Sequence, residues 1–184
     1  MKIFNNFNLK NHNAYNLDAY CAKAFFPSKC ADFLDIYTEY NHIPKIIIGD
    51  GNNIILSNKY YNEYFVIINK CFDEIEINNR NMIVESGATL LQLSNLALKH
   101  SLSGLEIFYD IPSSIGGAVV MNAGAYGEEI KDIVSKVKYL DLLDLKFKEK
   151  TKKEIDFTYR NSFFQNNKDK IVLKVWLNLQ KGNK

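Results

Sequence analysis

A chain of 184 residues with 47% hydrophobic content is long enough to bury a core, as one domain or two small ones, which excludes a disordered polypeptide. Its formal charge of +2 is nearly balanced, and its lysines are scattered among asparagines and aspartates, so the basic stripe that nucleic acid requires is missing. Cys21, Cys30 and Cys71 are widely spaced without a C-x-x-C pair, which argues for reduced, buried thiols and against a disulfide framework or a zinc site; with no apolar leader and no apolar run of about 18 residues, a soluble, cytoplasmic protein without membrane contact is expected.

Residues 1–20 are polar and rich in asparagine, and read as a loosely held arm. Residues 24–26 form a strand that stops at Pro27, and Ser28 is placed to cap a helix carrying Phe33, Leu34, Ile36 and Tyr37. Residues 45–48 are a short apolar run of the buried-strand type, opening directly into Gly49-Asp50-Gly51-Asn52-Asn53, a loop that sets backbone donors at a sheet edge. Apolar residues 54–57 and 64–68 follow, so the first unit reads as β-α-β-β to about Asn69.

From Cys71 the pattern restarts. Residues 74–77 alternate, 78–81 turn and 82–86 return, a hairpin signal. Thr89 and Gln92 have capping-box spacing ahead of a helix with Leu90, Leu93, Leu96 and Ala97 on one face, and His100 suits that helix's C-terminal end. His100, His12 and His42 lie far from any cluster of cysteine or carboxylate, so no metal site is expected.

Residues 85–127 hold a disproportionate share of the glycines. Within them Ile111-Pro112-Ser113-Ser114-Ile115-Gly116-Gly117-Ala118 puts a proline where a helix can start, then hydroxyls and two glycines that let backbone N–H groups face an anion such as phosphate. Met121-Asn122-Ala123-Gly124-Ala125-Tyr126-Gly127 is a small-residue turn that permits close backbone approach to a planar ring. Glu128 and Glu129 beside it read as solvated surface. Residues 133–144 read as one long strand with 145–148 as hairpin partner, Thr151 and Glu154 repeat the capping-box spacing, and residues 171–179 alternate as a final strand after Tyr159-Arg160-Asn161-Ser162-Phe163-Phe164.

Taken together these stretches resemble the UDP-N-acetylenolpyruvoylglucosamine reductase (MurB) family of flavoenzymes, from about His12 to the C-terminus. The family patterns are G-G-G-S-N-L at residues 49–54, G-L-x-G-L-E at 101–106, I-P-G-T-x-G-G-A at 111–118, M-N-A-G-A-Y-G at 121–127 and Y-R-x-S-x-F at 159–164. Asp50, Asn52 and Ser113 depart from them, and Asp50 brings a negative charge toward the expected pyrophosphate unless its side chain points away or caps the loop. The resemblance implies an α+β chain with the FAD-binding fold of the FAD-linked oxidase (PCMH/VAO) type, in two packed α/β subdomains, 1–70 and 71–184.

FAD is then expected on Gly49, Asp50, Gly51, Asn52, Asn53 and Ile54, on Ile111, Pro112, Ser113, Ser114, Gly116 and Gly117, and on Asn122, Gly124 and Ala125. It is expected to be noncovalent, because the first loop lacks the histidine that some relatives use for attachment. By the same resemblance NADPH is the hydride donor, UDP-N-acetylglucosamine enolpyruvate the substrate, Arg160 the catalytic cation that steadies charge on the substrate carboxylate, and Tyr159 a second substrate contact. The family's serine proton donor and distal glutamate belong to a third domain and have no counterpart here, so residues 1–184 alone are expected not to complete turnover. Two alternatives stay open at this point: a non-catalytic FAD-binding module, and another FAD-linked oxidoreductase.

Overall fold

The structure is a computed structural model that describes residues 1–182, so the last two residues of the expected 71–184 unit lie outside the described residues. A four-stranded mixed sheet comes first. Its strands are β1 (Lys2–Asn8), β2 (Tyr20–Phe26), β3 (Lys45–Ile48) and β4 (Tyr60–Ile67), in the order β1-β2-β4-β3. The β1–β2 pair is antiparallel, whereas β2–β4 and β3–β4 are parallel; α1 (Cys30–Glu39) lies in the crossover from β2 to β3, and residues 49–59 make the return from β3 to β4 without a helix. Phe65 and Ile67 of β4 face one apolar cluster with Leu9, Cys21 and Ile48, while Val66 and Ile68 face another with Phe33 and Ile36 of α1. Burial on both faces is why this stretch reads as a continuous apolar run.

The second sheet is antiparallel throughout. Hairpin β5 (Ile75–Asn78) and β6 (Asn81–Glu85) leads through α2 (Leu90–Lys99), a short β7 (Leu102–Ser103), α3 (Ile115–Met121) and the paired dipeptides β8 (Gly124–Ala125) and β9 (Glu128–Glu129). Next come β10 (Val134–Asp141), β11 (Lys146–Thr151), α4 (Lys152–Ile155), α5 (Phe163–Asn166), β12 (Lys170–Asn178) and β13 (Gln180–Lys181). The sheet order is β11-β10-β12-β6-β5, with β7 and β13 pairing apart from it. Leu90, Leu93 and Ala97 of α2 and Ile115, Ala118 and Val119 of α3 are buried against Val84, Val137 and Val175, so one sheet face is covered by both helices. Leu140, Ile171 and Leu173 from this sheet close over α1 and Phe72, which places α1 between the two sheets.

Several local expectations hold. Thr89 and Gln92 form the reciprocal capping box, His100 is the C-cap of α2, and Thr151 and Glu154 form a second box at α4. Others are corrected. Residues 1–20 are not a loose arm: residues 2–8 form an edge strand, with Phe4 and Phe7 packed on Phe26 at 5.5 and 5.3 Å. An edge strand exposed over most of its length carries asparagine freely, which hides it from a hydrophobicity pattern. Ser28 does not cap α1; instead its N–H donates back to the Asp32 carboxylate at 2.8 Å, and Lys29 stands at the N-cap without a side-chain bond. Residues 54–57 are irregular backbone, and the long strand stops at Asp141 because 142–145 turn, with Leu145 at φ +53°. The helix after Pro112 begins three residues later, at Ile115 with Ser114 as N-cap.

Candidate functional site

β3 delivers the chain to the glycine loop, and the supposed arm props that loop from behind. Gly51 sits at φ +71°, and a Cβ there would lie 2.3 Å from the His12 carbonyl oxygen. Ala14 N–H donates to Gly51 O at 3.1 Å. The turn that does this is pinned by the buried Asn13, whose amide donates to Leu9 O, Lys10 O and Leu17 O and whose oxygen accepts from Leu17 N–H. Held in this way, residues 49–54 expose their backbone: among the described residues, none of their N–H groups donates to a protein acceptor. A run of unpaired N–H groups lining a cavity is an anion cradle.

The second wall is residues 111–117. Ser114 caps α3 by accepting from Gly117 N–H at 3.3 Å, while Ile115 N–H donates to Ala88 O at 2.8 Å and Gly116 N–H to Ser86 O at 2.9 Å. The first-turn donors expected to meet a phosphate are therefore taken by the protein, and among the described residues the N–H groups on this wall without a protein acceptor are those of Ser113 and Ser114. Gly116 is required by packing, since a Cβ there would lie 2.7 Å from Ser86 Cβ.

Between these walls lies a cavity of about 1340 Å³. Gly49, Asp50, Gly51, Asn52, Asn53 and Ile54 line it, as do Ile111, Pro112, Ser113, Ser114, Gly116, Gly117 and Arg160. Asn122, Gly124, Ala125 and Tyr159 do not. Asn122 is buried at a left-handed C-cap, donating to Thr158 O at 2.8 Å and accepting from Lys131 N–H, and a Cβ on Gly124 would meet Glu128 O at 2.1 Å where β8 and β9 pair. From this third motif Met121 and Ala123 reach the cavity. Beside the same turn, Glu129 is ion-paired with Lys131.

Arg160 occupies a left-handed position, φ +53°, in the tight turn closed by mutual Thr158–Asn161 backbone bonds. Its guanidinium donates to Gly124 O at 2.6 Å and lies 5.6 Å from the Tyr159 ring, whose side chain is 81% exposed. Ser162 fixes the turn's far side by donating to Val120 O at 2.7 Å while capping α5.

Sequence reasoning missed the other end of the cavity, lined by Tyr37, Asn41, Lys45, Leu142, Lys168 and Lys170. Nothing local marks these positions, which come from the end of α1, β3, the turn after β10 and the start of β12. Lys45 donates to Tyr40 O and to Ile43 O at 2.9 Å, and burial lowers its pKa. Burial raises the Tyr37 hydroxyl well above its ordinary value. Lys170 is held by Asp141 at 2.8 Å and by Asp169 at 2.5 Å.

Asp50 is turned within its loop. Its carboxylate accepts from Asn69 Nδ2 and, at 3.4 Å, from Asn52 Nδ2, and burial raises its pKa against an opposing pull from Lys70. Cys21 is buried and Cys30 and Cys71 are partly covered; burial lifts the Cys21 and Cys71 thiols to about 11, leaving them unreactive near neutrality. Among the described residues no cluster of His, Cys, Asp or Glu is arranged to hold a metal, and no helix is long and apolar enough to cross a membrane.

Unpaired N–H donors, nearby lysines and an apolar lining that includes Ile48, Ile111, Pro112, Val120, Ile171 and Val172 suit a ligand that joins a polyanion to a planar ring system. A flavin dinucleotide has that composition, so the residues present fit FAD.

Comparison with known proteins agrees. The FAD binding domain family matches residues 23–145. The UDP-N-acetylenolpyruvoylglucosamine reductase of Francisella tularensis is 38% identical over 168 residues, covering 91% of this chain and 59% of that protein. The enzyme of the same name from Caldanaerobacter subterraneus is 35% identical, covering 99% and 60%. The chain thus spans about three-fifths of the length of the curated relatives it matches. Among solved structures, UDP-N-acetylenolpyruvylglucosamine reductase (MurB) from Thermus caldophilus shares the fold with a TM-score of 0.79 at 24% identity, covering 99% of this chain and 63% of that one. Phl p 4.0202, a glucose dehydrogenase, shares it with a TM-score of 0.69 at 15% identity, covering 94% and 38%. The chain therefore belongs to the FAD binding domain family, in the branch of the UDP-N-acetylenolpyruvoylglucosamine reductases, and has the FAD-linked oxidase type of fold.

Proposed function

We propose that these residues are the FAD-binding portion of a cytoplasmic UDP-N-acetylmuramate dehydrogenase, which uses NADPH to reduce UDP-N-acetylglucosamine enolpyruvate in peptidoglycan precursor synthesis. The observation that carries this reading is the cavity between residues 49–54 and 111–117, with a run of unpaired N–H groups on one wall and Arg160 at its edge. Bound FAD supplies the hydride relay between NADPH and the enolpyruvyl double bond.

The chain's own residues bind and orient. The N–H groups of the first loop and of Ser113 and Ser114 take the pyrophosphate, and the apolar walls exclude water from the ring system. Arg160, permanently cationic and planar, meets the substrate carboxylate as negative charge develops there, giving up its bond to Gly124 O in exchange. Tyr159, exposed beside it, supplies a face for the substrate. In this reading residues 1–70 and 71–184 are the two subdomains that share the cofactor, and they hold it without completing turnover, because no proton donor is assigned among them.

Acid precipitation of purified protein tests the cofactor reading: flavin is expected in the supernatant, and a yellow pellet over a colourless supernatant overturns noncovalent binding. For the reaction, the bound flavin is reduced anaerobically and UDP-N-acetylglucosamine enolpyruvate is added. Flavin absorbance is expected to stay bleached with residues 1–184 alone, and rapid reoxidation would mean that these residues supply the proton donor themselves.

A further inference from the structure

We propose that Asn69 is a positioning residue for the anion-binding loop: its amide holds the Asp50 carboxylate off the N–H groups of residues 51–54 and so keeps those donors free for phosphate. The inference rests on the cofactor reading above and concerns a feature of this chain, the aspartate where the family pattern has glycine.

An aspartate in a turn ordinarily satisfies itself by accepting from N–H groups one to three residues ahead. In the loop after β3 that would consume the donors that line the cavity. Asp50 does not do so. One carboxylate oxygen accepts from Asn69 Nδ2 and the other from the Asn52 amide at 3.4 Å, while among the described residues the N–H groups of Gly51 through Ile54 have no protein acceptors.

Asn69 is suited to this role by its position. It directly follows Ile68, whose N–H donates to Ile48 O at 3.0 Å, next to the parallel pairing of Ile48 with Ile67. The amide is therefore anchored on the strand beside the one that carries the loop. Its orientation is dictated by Asp50, since an amide oxygen facing the carboxylate would be repelled. The consequence is that Asn69 Oδ1 is buried without a partner among the described residues, a local cost the fold tolerates at this point.

The titratable groups around Asp50 are Lys70, whose ammonium favours the carboxylate, and His12 on the turn behind Gly51, whose pKa is lowered by burial and by the same lysine. On the cavity lining stand Arg160, Lys168 and Lys170. Burial raises the Asp50 pKa, so the carboxylate becomes neutral at a higher pH than an exposed aspartate.

A double-mutant cycle on residues 1–184 tests the role, with FAD affinity followed by flavin fluorescence and folding checked by circular dichroism. At about pH 8, Asn69→Ala is expected to weaken FAD on the order of tenfold, the cost of one carboxylate released beside a pyrophosphate. Asp50→Gly is expected to bind more tightly than wild type. Adding Asn69→Ala to Asp50→Gly is expected to change affinity less than about twofold, because the amide then has nothing to restrain. The Asn69→Ala deficit should also shrink as pH falls and Asp50 takes up a proton, earlier in the descent than an exposed aspartate would. Asn69→Gln should restore part of the loss.

An equal loss in both backgrounds would show that Asn69 merely supports the scaffold, and no loss in either would show that Asp50 needs no restraint; each overturns the proposal. A folded wild-type chain that takes up no FAD overturns the cofactor reading and this inference with it, a result separate from a flat cycle.

Discussion

A Cβ placed on Gly49 would lie 2.3 Å from Ser114 Oγ, so the loop that ends β3 and the residue that caps α3 touch because Gly49 has no side chain. The same two stretches form facing walls of the cavity. Gly49 thereby sets how closely the walls approach, and Ser114 sets both that spacing and the start of α3.

Gly49→Ala should push the walls apart and weaken FAD binding by about tenfold or more, with a smaller effect on the unfolding midpoint. Ser114→Ala removes the colliding oxygen and leaves Ser114 Cβ at 3.3 Å as the next contact. Combined with Gly49→Ala it should recover part of the affinity while costing about 1 kcal/mol of stability for the lost cap. Fluorescence titration and urea denaturation of the four proteins decide this, and an additive cycle would mean the contact is irrelevant to binding.

Gly116→Val and Gly124→Val should act on folding before they act on cofactor. Their Cβ atoms meet Ser86 and the Glu128 backbone, both within the protein. Each should cost at least about 2 kcal/mol in flavin-free protein. A variant with wild-type stability and no FAD binding would place the conflict in the cavity instead.

Asn13→Ala should couple stability to affinity. The side chain is 6% exposed and takes part in four hydrogen bonds to backbone. Its loss leaves buried acceptors unpaired, at about 2–3 kcal/mol, and frees the turn that supports Gly51. Chemical denaturation should show the first effect and FAD titration a several-fold weakening; unchanged affinity would mean the loop holds its shape unaided.

Asp141 should steepen acid unfolding. Its carboxylate bonds Lys148 at 2.7 Å and Lys170 at 2.8 Å, and these hold its pKa far below the ordinary 3.8. With the folded value depressed, the contribution is present above the unfolded value and is lost as pH falls through the folded one, below about pH 4. Asp141→Asn should therefore unfold at lower temperature near neutrality yet show a shallower fall in midpoint between about pH 5 and pH 2. Parallel curves for the two proteins would show that the pair contributes nothing.

The sequence by itself determined what depends on near neighbours. Alternation gave the β5–β6 hairpin, the apolar run gave β3, and three-residue spacing gave the Thr89 and Thr151 capping boxes. The loop motifs likewise placed the cavity walls at 49–54 and 111–117. Tertiary structure decided which donors on those walls are free, since Ser86 and Ala88, some thirty residues from α3 in sequence, consume the first-turn N–H groups. It also decided that residues 2–8 form an edge strand, that Asn13 props Gly51, and that Asn69 takes the Asp50 carboxylate. Periodicity and capping are encoded within a turn or two of chain because their hydrogen bonds close locally. The occupancy of a donor, by contrast, is set by whichever distant group the packing brings within bonding distance, and no local pattern records that.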